Sequence, residues 1–354
     1  MNFRRSALLP IGLAVSLLVA ACGSSSSNSS SSGASIKPTG APSTISAVLF
    51  STPQAAYDAT EAQWKKTAVG GNVTFQSSYG ASGDQSRAVD AGKKADYVGF
   101  SLETDMTRLV KDGKVAASWN TGPTKGIVSR SVVVLVVRKG NPKHITGWAD
   151  LIKPGVQVVT PDPGSSGSAR WNILAAWAYA TQNGGTDADG KAYLTKLFKN
   201  TVALPDSGRD ATTAFTGGTG DVLISYENEA IFARQNNAPI DYLIPDITIQ
   251  IDNPGAVTVG STPKAKDFLN FVISKAGQTE FMKKGFRPVI PGVSAKVTGA
   301  NDPSKPFPKP KTLITIADLG GWSSAASKFF AQKAKDGTDG IVTTIENSTG
   351  KGSS

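Results

Sequence analysis

The feature that most constrains the fold is a unit that recurs along the chain: a short apolar strand, a turn rich in serine and glycine, and a helix. Its fullest copy spans residues 156–180, where a β-branched strand is followed by the turn Gly-Ser-Ser-Gly-Ser at 164–168. Beyond the turn, apolar residues recur at the spacing of one buried helix face: Trp171, Leu174, Ala175 and Ala178. Further copies have their turns at residues 51–53, 80–84 and 206–210.

This alternation of strands and helices predicts an α/β architecture with mainly parallel sheets flanked by helices. The near-continuous apolar run at residues 131–137 has the pattern of a parallel strand buried on both faces. Ligands of such sheets bind beyond the carboxyl ends of the strands, the side on which we expect all four turns. Two lobes facing each other across a crevice would let the turns converge.

Each turn leads into a helix N-terminus, where backbone N–H groups lack intrahelical partners and the macrodipole places about half a positive charge. Such a turn binds an anion without any formal positive charge. For a single turn, an ordinary serine N-cap on an αβ loop is the alternative. The repetition of the turn along the chain favours an anion site.

The N-terminal segment, residues 1–21, predicts a lipoprotein signal peptide. An arginine pair precedes an apolar segment that is too short to span a bilayer. The sequence Val-Ala-Ala-Cys that ends at Cys22 resembles a bacterial lipobox, in which the cysteine carries lipid. A plain secretory peptide is the alternative. We therefore expect a protein anchored by lipid on Cys22 at the extracytoplasmic face of the bacterial cell membrane.

Residues 22–43 are almost entirely serine, glycine and other small or polar residues, which predicts a flexible tether. About 310 residues follow, which suits two domains of ordinary size. The net charge of +10 includes Arg4 and Arg5 of the signal peptide. The surplus favours anionic partners at long range, but no basic cluster with interleaved aromatic residues predicts nucleic-acid binding.

No sequence pattern supports catalysis, a cofactor or a metal site, so we expect a protein that is not an enzyme. The one histidine, His144, has no nucleophile elbow to pair with, and Cys22 is the only cysteine. The turn at 164–168 lacks the Gly-Lys-Ser/Thr of a P-loop, and the carboxylates have no metal-ligand spacing. Glu227 and Glu229 do not share a helix face, which favours capping or lobe-closure contacts.

Several runs resemble the periplasmic sulfate-binding proteins of sulfate/thiosulfate ABC transporters. They cover nearly all of residues 48–330, in the order YGASGDQS, VRKGNPKHITGWADLIKPGVQVVTPDPGSSGSARWN, LFKN, DSGRDATTAF, GDVLISYENEA, GFRPV and TIADLGGW. The resemblance implies a two-lobed type II periplasmic-binding-protein fold that closes on one dehydrated sulfate or thiosulfate. It also implies a monomer that delivers its ligand to ABC transporter permease subunits, with lobe 1 at residues 44–131 and 253–354 and lobe 2 at 132–252.

In that family the anion is held by neutral donors. By matching positions, the resemblance places ligands at Ser51, Ser82, Ser166, Gly167, Ser168, Gly208 and Tyr226. Ser51 would supply a backbone N–H and Ser82 a hydroxyl, the register at Gly208 is open by one residue, and Arg170 would support the central turn. Tyr226 stands where the family has an indole donor, and a phenol hydroxyl can both donate and accept.

Two carboxylates lie beside the turns, at Asp84 and Asp210. A carboxylate pointed at the ligand would repel sulfate and would accept the proton of hydrogen phosphate. We expect both side chains to face solvent, since the dipole favours them in the first turn of a helix. A binding protein for another oxyanion such as phosphate or molybdate, and a sensory or enzymatic protein on the same fold, remain the alternatives.

Overall fold

The computed structural model describes residues 36–182, 184–333 and 338–351. The strands are β1 (Ser43–Phe50), β2 (Val73–Gly80), β3 (Tyr97–Gly99), β4 (Ile127–Arg138), β5 (Val158–Val159), β6 (Thr201–Ala203), β7 (Val222–Tyr226), β8 (Ile240–Leu243), β9 (Ile247–Val257) and β10 (Thr312–Ile314). The helices are α1 (Gln54–Trp64), α2 (Ser82–Asp90), α3 (Glu103–Lys111), α4 (Gly167–Thr181), α5 (Asp187–Asn200), α6 (Gly208–Thr216), α7 (Glu227–Gln235), α8 (Pro263–Val272), α9 (Lys275–Lys283), α10 (Gly321–Phe330) and α11 (Ile341–Thr349).

The recurring unit of strand, turn and helix is confirmed at every predicted copy: β1 leads to α1, β2 to α2, β5 to α4 and β6 to α6. Helix α11 was not predicted, because its sequence, IVTTIENST, has more β-branched and polar residues than strong helix formers.

The predicted signal peptide, Cys22 and the tether up to residue 35 lie outside the described residues. No helix among the described residues has the length and apolar character needed to cross a bilayer.

The sheet is mixed, with the strand order β2-β1-β3-β9-β4-β7-β5-β6, and with β10 beside β9 and β8 beside β4. Strands β1, β2 and β3 pair in parallel, as do β5, β6 and β7. The prediction that residues 131–137 form a parallel strand is wrong, because β4 is antiparallel to β7, β8 and β9. Val132–Val137 are nevertheless buried on both faces. Burial produces a continuous apolar run whichever direction the neighbouring strands take.

Strands β4 and β9 link the two groups of parallel strands. Residues 127–132 of β4 pair with residues 250–254 of β9. Beyond this shared segment, β9 continues beside β3 and β4 continues beside β7. The antiparallel pair therefore holds β1–β3 and β5–β7 in one continuous sheet, and it sets the position of the turns that follow those strands.

The C-terminal helices pack on the helices that follow β5. The ring of Trp322 lies edge-on to Trp171 of α4, with 4.6 Å between centroids, and Phe329 lies edge-on to Trp177 at 4.8 Å. Residues of α11 belong to the same apolar core. The residues of these helices were assigned to the predicted lobe 1 but contact residues of the predicted lobe 2, because aromatic side chains of α10 cover the apolar face of α4. The described residues form one compact unit, and the division into two lobes stays a prediction.

A carboxyl group is buried between α1 and β2. Glu61 accepts a hydrogen bond from Ser77 Oγ at 3.2 Å. Burial, and then the negative charge of Asp58, raises the pKa of Glu61 from 4.5 to about 7. The folded chain thus holds this proton more tightly than the unfolded chain does. Stability present below the unfolded pKa is therefore lost as the pH rises from about 4.5 through about 7.

Glu61→Gln should remove this loss, because the amide stays neutral at every pH. We expect the free energy of unfolding of the wild type to fall relative to that of the variant between pH 4.5 and pH 7.5. Urea denaturation of both proteins at the two pH values measures the difference. The control is Glu103→Gln at an exposed position, which should keep the wild-type pH dependence. An unchanged pH dependence in Glu61→Gln would contradict the assignment.

Candidate anion-binding site

The central turn begins helix α4 and is organised by its own hydroxyl groups. Ser166 is the N-cap, and its Oγ accepts the N–H of Ala169 at 3.4 Å. The hydroxyl oxygens of Ser166 and Ser168 lie 3.0 Å apart, and both side chains are buried. The first-turn N–H groups, those of Gly167 and Ser168 among them, have no carbonyl partner within the helix. The turn therefore presents donors and a partial positive charge.

A second helix, α6, begins against the same turn. A Cβ atom on Gly208 would lie 2.6 Å from Ser168 Oγ and 2.8 Å from Thr52 Cγ2, so only glycine fits. The N-cap of α6 is Ser207, whose Oγ accepts the N–H of Asp210 at 3.2 Å. Ser51 precedes Thr52 at the end of β1 and is also buried. Three predicted turns thus meet at one place, where Gly208 lies against Ser168 and Thr52.

The fourth turn approaches from β2. The N–H of Gly83 donates to the carbonyl of Ser165 at 3.0 Å. Ser82 Oγ donates to Asp105 Oδ2 at 2.6 Å and accepts the N–H of Ser101 at 2.9 Å. A serine hydroxyl can donate one hydrogen bond, and in this structure Ser82 donates it to Asp105. The hydroxyl of Ser82 is thus directed at Asp105, and its predicted role as a hydroxyl donor to a ligand stays a prediction. Ser82 also offers a first-turn N–H of α2.

Tyr226 ends β7 and is completely buried. Its hydroxyl lies 2.7 Å from Ser101 Oγ. The carbonyl of Ser101 accepts bonds from Trp171 Nε1 at 3.0 Å and from Asn253 Nδ2 at 3.2 Å, which hold the residue in place. Burial raises the pKa of Tyr226, so the phenol keeps its proton at neutral pH. The phenol therefore enters the site as a neutral group that can donate.

The charged side chains around the turns are paired away from these donors. Asp84 is exposed and forms an ion pair with Arg87, and Asp210 is exposed and accepts a bond from Ser207 Oγ at 2.6 Å. The prediction that both aspartates face solvent is confirmed. Arg170 donates to the carbonyl of Pro163 at 2.9 Å, so it braces the outer side of the central turn.

The two buried glutamates of α7 each hold an arginine. Arg209 makes a two-point ion pair with Glu229, at 2.9 and 2.8 Å, and also donates to the carbonyl of Thr52 at 3.0 Å. Arg287 pairs with Glu227 at 2.7 Å. The contact of Arg209 with Thr52 ties α6 to the β1–α1 loop. Sequence spacing does not indicate either pairing, because the partners are 20 and 60 residues apart.

Sequence reasoning missed four residues that the structure brings to the site: Thr52, Ser101, Arg209 and Asn253. Thr52 and Arg209 adjoin residues that were predicted, so the turns themselves pointed to them. Ser101 and Asn253 carry no such signal, because they reach the site only through the pairing of β3 with β9. Among the described residues, no group of three or more His, Cys, Asp or Glu is placed to hold a metal ion. His144 is exposed.

The chain matches the model of the bacterial extracellular solute-binding protein family over residues 48–287. It is 42% identical over 341 residues to the sulfate-binding protein of Synechococcus elongatus, covering 92% of this chain and 94% of that protein. It is 35% identical over 285 residues to the thiosulfate-binding protein of Pseudomonas aeruginosa, covering 77% of this chain and 84% of that protein.

A solved structure is also similar, that of the sulfate-binding protein SubI from Mycobacterium tuberculosis. The TM-score is 0.77 at 44% identity, and the match covers 82% of this chain and 100% of that one. The predicted fold, a type II periplasmic-binding-protein fold, is confirmed by this likeness and by that to a periplasmic thiamin binding protein, with a TM-score of 0.63 at 18% identity.

Glu229→Gln should destabilise the protein, because it leaves the partly buried charge of Arg209 without an ionic partner. We expect a loss of about 3 kcal/mol in the free energy of unfolding, measured by urea denaturation. The matched control is Asp246→Asn, which breaks the exposed pair of Asp246 with Lys311 and should leave stability near that of the wild type. Equal effects of the two substitutions would show that the Arg209 pair is not structural.

Proposed function

We propose that this chain, which belongs to the bacterial extracellular solute-binding protein family, captures sulfate or thiosulfate and delivers it to an ABC importer. The observation that carries the proposal is the meeting of the N-termini of α4 and α6 beside the buried hydroxyls of Ser168 and Tyr226. The sulfate- and thiosulfate-binding relatives support the same ligand class. Binding and delivery require no catalytic step.

The chemistry of the site suits an anion that carries no proton. Sulfate is fully ionised at neutral pH, so it needs donors and no acceptor, whereas hydrogen phosphate also needs an acceptor for its own hydroxyl. The buried carboxylates Asp105 and Glu229 are already occupied, Asp105 by the hydroxyl of Ser82 and Glu229 by Arg209. The donors that remain are neutral.

The proposed ligands keep the predicted positions with one change of role. Ser51, Gly167 and Gly208 would supply backbone N–H groups, and Ser82 would supply its N–H in place of its hydroxyl. Further donors would come from Ser166, Ser168 and Tyr226, with Arg170 as support. About six charge-assisted hydrogen bonds at about 1.5–3 kcal/mol each sum to roughly 9–18 kcal/mol. After an association cost on the order of 4–15 kcal/mol, micromolar affinity is attainable.

The protein would work outside the cytoplasm, held by lipid on Cys22 and the Ser/Gly-rich tether after removal of the signal peptide. It would act as a monomer in which residues 44–131 with part of 253–354, and residues 132–252, close on the ligand. A second oxyanion class remains a candidate because the hydroxyls of Ser101, Ser168 and Tyr226 can also accept. That property favours a protonated anion such as hydrogen phosphate.

Calorimetric titration of the purified protein at pH 7 with sulfate, thiosulfate and phosphate tests the proposal. We expect one-to-one binding of sulfate with phosphate excluded, and no sulfate binding by Ser168→Asp, because the carboxylate would enter the donor cluster. The control is Ser323→Asp in the exposed first turn of α10, which should bind as the wild type does. Sulfate binding by Ser168→Asp at wild-type affinity would remove Ser168 from the site, and preference for phosphate would favour the second class.

Tyr226→Phe should weaken sulfate binding by about 1–3 kcal/mol, the cost of one missing donor to a buried charge. The same calorimetric titration measures the change. The matched control is Tyr193→Phe, since the hydroxyl of Tyr193 is also buried but donates to the carbonyl of Trp148 at 2.6 Å. If Tyr226→Phe and Tyr193→Phe both kept the wild-type affinity, Tyr226 would not be a ligand.

A further inference from the structure

A buried hydroxyl beside the helix N-termini has no partner. Thr52, in the loop between β1 and α1, is 3% exposed. Its Oγ1 is completely buried and makes no hydrogen bond with any described residue. An unpaired buried hydroxyl destabilises a protein, because it has left water without replacing its hydrogen bonds. A valine would fill the same space without this cost.

The position of the side chain relates this hydroxyl to the anion site. A Cβ atom placed on Gly208 would lie 2.8 Å from Thr52 Cγ2 and 2.6 Å from Ser168 Oγ, so both side chains contact Gly208. Oγ1 shares its Cβ with Cγ2, so it is two bonds from the methyl carbon that contacts Gly208. The loop is also held there, since Arg209 Nη2 donates to the carbonyl of Thr52 at 3.0 Å. The hydroxyl therefore sits where α4 and α6 begin.

Other buried threonines of the same region have ordinary structural partners. Thr60 Oγ1, which lies within α1, donates to the carbonyl of Ala56 at 2.7 Å. Thr212 Oγ1 in α6 lies 3.0 Å from the carbonyl of Gly208 and 2.9 Å from Glu229 Oε2. The hydroxyls of these two threonines are thus satisfied within the chain. Thr52 is not satisfied in this way, which points to a partner outside the chain.

We propose that Thr52 is a specificity-determining ligand, whose hydroxyl donates to the tetrahedral oxyanion bound at the N-termini of α4 and α6. This inference rests on the proposed function. Thr52 would also supply a hydroxyl donor in place of that of Ser82, which donates its hydrogen bond to Asp105 Oδ2 in this structure. Thr52 supplies a neutral donor from the same side of the site, and the bound anion supplies the acceptor that the folded chain withholds.

Thr52→Val tests the proposal, because it keeps the shape and removes the donor. By calorimetry on the purified full-length protein with sodium sulfate, we expect an affinity at least about 10-fold weaker than that of the wild type. Thr52→Ser, which keeps the hydroxyl, should stay within about threefold. Thr60→Val, whose hydroxyl bonds only within α1, should leave the affinity unchanged.

Thermal unfolding without sulfate supplies the second measurement. A ligand hydroxyl with no partner in the protein predicts that Thr52→Val unfolds at the same or a higher temperature than the wild type, while binding sulfate less tightly. A lower melting temperature would show that the hydroxyl is structural and would overturn the proposal. So would sulfate binding by Thr52→Val within about twofold of the wild type. Absence of sulfate binding by the wild type would instead overturn the proposed function, and this inference with it.

Discussion

The N-termini of α4 and α6 meet at the central turn, where their partial positive charges repel each other. The rest of the site is arranged around these two helix ends. The dipoles of α4 and α6 place partial positive charge at Gly167 and Gly208, and their first-turn N–H groups cannot pair with one another. Ser168 lies between the two ends, with its hydroxyl against Gly208. An anion would offset both the partial positive charge and the unpaired N–H groups, because it is attracted to each dipole and accepts from each set of N–H groups.

Full charges are kept out of the donor cluster by pairing. Arg209 and Arg287 are each matched by a buried glutamate, and Asp105 is taken by the hydroxyl of Ser82. What is left at the junction is a set of neutral dipoles, whose attraction for an anion depends on geometry. The same pairing has a mechanical role, since Arg209 also binds the carbonyl of Thr52 and so draws the β1–α1 loop against α6.

The sheet explains how distant turns reach the junction. Strands β1 and β7 belong to different parallel groups, and they are joined only through the antiparallel strands β4 and β9. The two parallel groups run in opposite directions, because β9 is antiparallel to β3 and to β4, and β4 is antiparallel to β7. The carboxyl ends of β3 and β7 therefore both face the segment where β4 pairs with β9, and the turns that follow these strands meet there. Tyr226 at the end of β7 thereby contacts Ser101, which follows β3, although 125 residues separate the two in sequence.

The sequence by itself determined much of the local structure: the period of apolar residues located helices other than α11, and the turns at 51–53, 80–84, 164–168 and 206–210 located the N-termini of α1, α2, α4 and α6. It also favoured neutral donors, since these turns contain serine, threonine and glycine, although the turn at 206–210 also contains Arg209 and two aspartates. Only the tertiary structure decided the direction of β4, because burial on both faces leaves the same apolar run in either direction. It also decided which acceptor each hydroxyl group bonds to. Ser82 donates its hydroxyl hydrogen bond to a carboxylate 23 residues away, while the hydroxyl of Thr52 has no hydrogen-bond partner among the described residues. A residue type specifies what a side chain can donate, whereas its partner depends on contacts between distant parts of the chain.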